Sequence, residues 1–122
     1  MEEKKKAVEA YFKQSIERCN EQVALLNQQD RRDEASFEKV RSNIYDIFHT
    51  MFLFALRTSN QESEKAVAEI FYQKVDAIPN NWKVSYQKAV EHGDEAKRYI
   101  EEIKLQVVEE IKEKFHQIWE ES

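Results

Sequence analysis

A thirteen-residue run, Ile44 to Leu56, constrains this chain more than any other stretch. It reads Ile-Tyr-Asp-Ile-Phe-His-Thr-Met-Phe-Leu-Phe-Ala-Leu, and ten of its residues are apolar or aromatic. On a helix with Ile44 at zero, Phe37, Val40, Ile47, Phe48, Met51, Phe54 and Ala55 fall within about 80°. Tyr45, Phe52 and Leu56 widen that face to about 200°, roughly twice what an ordinary amphipathic helix needs. The opposite stripe carries Lys39, Ser42, Asn43, Asp46, His49, Thr50 and Arg57, interrupted by Leu53. Such a helix is either the most enclosed member of a bundle or it meets a second chain. It is a poor membrane span, which takes roughly 20 apolar residues, and this run has Asp46 and His49 inside it.

The flanking sequence predicts more helices. Val8, Phe12, Ile16, Cys19, Val23 and Leu26 repeat at spacings of four and three, which places a bundle helix over about 3–28. Gln29 to Asp33 has no apolar residue and reads as a turn, with Asp30 or Asp33 as the cap of the next helix. Thr58-Ser59-Asn60 is the second turn, and Ser59 with Glu62 has capping-box spacing. The third helix presents Val67, Ile70, Phe71, Lys74, Val75 and Ile78 until Pro79 interrupts it. Asn80 or Asn81 can recap the chain, and Trp82, Tyr86, Ala89 and Val90 continue at helical spacing. Glu91-His92-Gly93-Asp94 is a stop signal, with Gly93 suited to a left-handed C′ position and Asp94 to the next cap. The last helix, about 95–120, has the stripe Ala96, Ile100, Ile103, Val107, Ile111, Phe115 and Ile118, flanked by Val108 and Trp119.

One glycine, one proline and 35% charged residues suit long helices with few turns. The 122 residues are enough for one domain with a single core. The expected fold is therefore all-α: an antiparallel up-down four-helix bundle, residues 1–122 in one domain, with the third helix broken at Pro79. The alternative makes residues 81–92 a separate fifth helix.

The net charge is −5, and all of the excess lies in the second half of the chain. Residues 1–61 balance ten basic against ten acidic side chains, whereas residues 62–122 have nine against fourteen. That argues against nucleic acid, whose partners present a basic face, and against a basic membrane-surface helix. The lone Cys19 excludes an intramolecular disulfide. The opening Met-Glu-Glu-Lys-Lys-Lys has charges with no apolar run behind them, unlike a secretory signal. The expectation is a cytoplasmic protein.

Two acidic-x-x-His pairs, Asp46 with His49 and Glu113 with His116, have the spacing used by di-iron bundles. That chemistry needs both pairs to point inward, and on the wheel all four residues fall on polar stripes. No metal and no cofactor is expected. Cys19 sits mid-helix on an apolar stripe, without a glycine or a helix N-terminus beside it to activate a thiol. It reads as core. A single glycine leaves no phosphate-binding loop.

With no catalytic set in view, the leading expectation is a non-enzymatic bundle that works by protein–protein contact, as a regulator, an immunity-type inhibitor or an assembly factor. Tyr45, Phe52, Leu53 and Leu56 are the candidate partner-binding strip, and a homodimer is the specific expectation from it. The alternative is a small-molecule binder or enzyme with a pocket at the Pro79 break, using Asn80, Asn81, Trp82, Tyr86 and His92.

Overall fold

The computed structural model describes residues 1–121. The chain forms α1 (Glu2–Gln28), α2 (Arg32–Thr58), α3 (Glu64–Ala77), α4 (Asn80–His92) and α5 (Glu95–Glu120), with no strand among the described residues. α1 and α2 have 27 residues each, α3 and α4 have 14 and 13, and α5 has 26. Taken end to end, α3 and α4 match the other rods, each about 40 Å long at 1.5 Å per residue. The fold is the expected antiparallel up-down four-helix bundle, its third rod broken at Pro79.

The joints show why there are four rods in five pieces. Each of the three reversals has left-handed backbone: at Asp30 (φ 58), at Asn60 (φ 54) followed by Gln61 (φ 53), and at Gly93 (φ 66). In each, the next residue's N–H reaches back to a carbonyl in the last helical turn: Arg31 to Leu26 at 2.8 Å, Gln61 to Leu56 at 3.2 Å and Asp94 to Ala89 at 2.9 Å. This is the Schellman pattern, which reverses the chain. At the Pro79 joint, Ile78 (φ −58, ψ −42) and Pro79 (φ −70, ψ −8) both stay right-handed. Proline lacks an N–H and its ring crowds the carbonyl four residues back. The rod therefore breaks there but does not turn round.

Two capping expectations are corrected. Asp30 is the left-handed residue closing α1, and Asp33 lies inside the first turn of α2, so neither caps. Arg31 holds the cap position, and no side chain caps the helix there. Ser63, not Ser59, caps α3, accepting from the Ala66 N–H at 3.0 Å. Ser59 Oγ instead stays within its own turn, donating to the Leu56 carbonyl and accepting from the Gln61 N–H. Asp94 caps α5 as expected, accepting from the Lys97 N–H at 3.1 Å.

α2 packs against α1, α3 and α5, while α5 packs against all four other helices. The α2–α5 contact runs across the bundle's diagonal with the two helices parallel. Its rungs are Phe37–Tyr99 (4.7 Å between ring centroids), Tyr45–Glu110 (2.6 Å) and Phe52–Trp119 (5.7 Å). The core is aromatic at the end where α1 and α3 begin. There Phe52, Phe71, Phe115 and Trp119 interlock at centroid spacings from 4.3 to 6.1 Å.

This diagonal contact turns α2 away from the expected register. Its buried face is Ile44, Tyr45, Phe48, Phe52, Ala55 and Leu56, whereas Val40, Met51 and Phe54 are half-buried and Ile47 is 37% exposed. The centre of burial lies about 70° round from Ile44 at 100° per residue. α5 is turned in a similar way. Val108 and Trp119 are buried, Ile100 and Ile118 only half so, and Ala96 is exposed.

Candidate interaction surfaces

The strip expected to meet a second chain is not at the surface. Tyr45, Phe52 and Leu56 are at most 5% exposed and belong to the core, and Leu53 alone stays outside. The cause is the rotation of α2: the flank that looked surplus on a single helix is the one α5 covers. The remaining exposed large apolar side chains, Leu25, Ile47, Val84, Val90 and Tyr99, sit on four different helices.

At the Pro79 break, Asn80, Asn81 and His92 are exposed, while Trp82 and Tyr86 are half-buried. Trp82 packs edge-on against Phe48 (6.2 Å), with the Lys104 ammonium 5.6 Å from its ring. Glu101, 3% exposed, accepts from that ammonium through one carboxylate oxygen at 3.1 Å. Trp82 thus fills the gap left by the kink. A cavity of about 490 Å³ does lie at the elbow, but Pro79, Val75, Leu105 and Val108 form its walls together with charged neighbours. None of the five expected pocket residues lines it.

The acidic-x-x-His pairs are not brought together. Asp46 is exposed, but His49 turns inward and stacks on Phe12 at 5.4 Å, its Nε2 buried without a partner. The polar-stripe expectation for His49 is therefore corrected. Ser42 is buried as well, donating to Asn20 Oδ1 at 3.1 Å. His116 is exposed and bonds Glu120 on its own helix. Among the described residues no group of three or more His, Cys, Asp or Glu is placed to hold a metal. No helix is long and apolar enough to cross a membrane. Cys19 is buried as expected. Burial, with Glu38 beside it, pushes its thiol up to about 11, which keeps it protonated and unreactive near neutrality.

Two polar arrangements were hidden from a reading of separate helices. The first is a knot of three helices, where the Tyr11 and Tyr45 hydroxyls both donate to Glu110 Oε2, at 2.5 and 2.6 Å. Burial, then this carboxylate, raises both phenols well above the ordinary tyrosine range.

The second is an open groove of about 640 Å³ between α3 and α5. Tyr72 forms its apolar wall, its hydroxyl donating to Glu120 at 2.9 Å. Four carboxylates line it, Asp76, Glu109, Glu113 and Glu120, against Lys112 and His116. Lys112 is already engaged by Asp76 at 2.9 Å, a bond that raises its pKa. Glu109 and Glu113 enter no ion pair among the described residues. The groove is therefore electronegative with one aromatic face. The sequence signal was the acidic run of the last helix, but only the α3–α5 register joins Tyr72 and Asp76 to it.

No family profile, curated protein or solved structure matches the chain.

Proposed function

We propose that this is a non-enzymatic helical bundle that works by contact with another protein, through the groove between α3 and α5. The observation that carries the reading is the mismatch there: four carboxylates, with the only lysine already paired. A basic amphipathic segment of a partner fits this chemistry, its apolar side resting on Tyr72 and its Lys or Arg side chains meeting Glu109 and Glu113. Such a pairing gives fast, salt-sensitive association. A regulator, an immunity-type inhibitor and an assembly factor all work in this way. A buried, protonated, unpaired Cys19 suits the reducing cytoplasm, where we place the protein.

The test is affinity capture with the wild type and with a Glu109→Lys/Glu113→Lys double variant. The expected result is a partner with a basic segment that the variant loses and that elutes from the wild type at moderate salt. Capture of the same partners by both proteins would move the contact to another face.

A further inference from the structure

We propose that the groove between α1 and α5, on the other side of α5 from the acidic one, binds a small organic carboxylate with an apolar body. This groove also has a volume of about 640 Å³. Its floor is unusual. Ser15 lines it, is 1% exposed, and its Oγ has no hydrogen-bond partner. A serine inside a helix can bond the carbonyl four residues back, yet this hydroxyl does not. An unsatisfied buried hydroxyl costs stability, and an apolar residue of similar size would not. The Oγ is covered in this conformation, and a turn of the side chain into the groove that Ser15 lines would offer it as a donor to a bound acceptor.

The charges round it point to an anion. Arg18 and Lys114 line the groove and enter no ion pair among the described residues. The Tyr11–Glu110 bond fixes the level of the two antiparallel helices. Arg18 lies seven residues past Tyr11 and Lys114 four past Glu110, in opposite directions, so their backbones are separated by roughly 16 Å along the groove. Glu110 stands between them, and its Oε2 is already occupied by two phenols. The lining thus holds two free cations and one tied carboxylate, a locally positive trough on a protein of net charge −5. Ala10 lies between the cations and Ala7 level with Lys114, small side chains that leave a slot for a hydrocarbon chain, with Ile118 one turn beyond. A carboxylate on Arg18 and Ser15, with its body laid along Ala7 and Ala10, satisfies the hydroxyl and covers the apolar strip.

Octanoate is the probe, titrated into the wild type, Arg18→Gln and Ser15→Ala by calorimetry and by amide chemical shifts. Octanol serves as the uncharged control. The expected outcome is saturable octanoate binding, with shifts confined to residues 7–18 and 110–118 and no saturation by octanol. Arg18→Gln should weaken binding about tenfold or more, the weight of a charge-assisted bond. Ser15→Ala should weaken it severalfold while melting higher than the wild type, because it removes the orphan hydroxyl. Octanoate affinity unchanged in either variant, shifts centred on the α3–α5 groove, or binding only at tens of millimolar would each overturn the proposal.

Discussion

Glu110 joins α1, α2 and α5 by accepting from both Tyr11 and Tyr45. Glu110→Ala strands two phenol hydroxyls, that of Tyr45 within the core, and should cost about 1–3 kcal/mol, the penalty for unsatisfied buried donors. Glu113→Ala, one turn further on and unpaired, should stay within about 0.5 kcal/mol. Urea denaturation of the two variants measures the contrast. The same phenols set an alkaline limit. Cys19, Tyr11, Tyr45 and Tyr72 all have folded pKa values raised above their ordinary ones. The native state therefore keeps protons that the unfolded chain releases, so this stability is whole at neutral pH and lost as pH rises. The loss should begin near pH 9, the ordinary thiol value, and steepen above 10 as unfolded tyrosines ionise. Melting temperature followed from pH 7 to 11 should fall monotonically over that upper range, and a flat profile would contradict the burial of these groups. Little at this scale was legible beforehand. His49 and Ser42 read as members of a polar stripe, but helix–helix register decides which polar side chain is trapped.

The helices themselves were legible to within a residue or two, except that α3 starts four residues later than a Ser59 cap implied, because most of their boundaries are local chemistry. Gly93 and Pro79 act through backbone geometry and Asp94 through a side-chain bond to the Lys97 N–H three residues on, and none of them needs a tertiary partner. The left-handed roles of Asp30 and Asn60 were less visible, since both residue types also serve as caps. Gly93→Ala should cost about 1–2 kcal/mol, the strain of a left-handed alanine. A Cβ built there meets nothing within 4 Å, so the cost is backbone alone. Gly93→Asn should cost less. Ser63→Ala should lose about 1 kcal/mol as a helix cap, and Ser59→Ala should not show a capping loss. The rotation of α2 was not legible, since a 200° apolar arc allows several registers and the choice depends on what α5 presents. Its consequence is testable. Phe52→Ala should cost about 3–5 kcal/mol, and Phe52→Glu should abolish the folded state where an interface residue would only release a partner. Folded, helical Phe52→Glu protein would restore the surface reading.

At the scale of the whole molecule, the bundle leaves its exposed apolar side chains scattered singly, a distribution normal for monomers. Light scattering at micromolar concentration should therefore give a mass near 14.6 kDa. A stable mass of twice that would require an interface other than the Tyr45, Phe52 and Leu56 strip. The up-down topology followed from short turns between long helices. The diagonal closeness of α2 and α5 did not, because nothing in a list of helices says which pair across the centre will touch.

The Lys4 ammonium donates to the Trp119 carbonyl at 2.7 Å, so the first turn of α1 lies against the last turn of α5. Four rods make three reversals, an odd number, which brings the first turn of α1 and the last turn of α5 to one pole. Sequence order is thus nearly incidental to this shape. A short Gly-Ser link between the ends, with new ends opened at Asn60–Gln61, would leave all five helices whole and preserve their neighbours. Such a circular permutant should fold to the same bundle. Anything fused to either end of the natural order would emerge at that one pole, beside the Glu120 end of the acidic groove, and leave the opposite pole free.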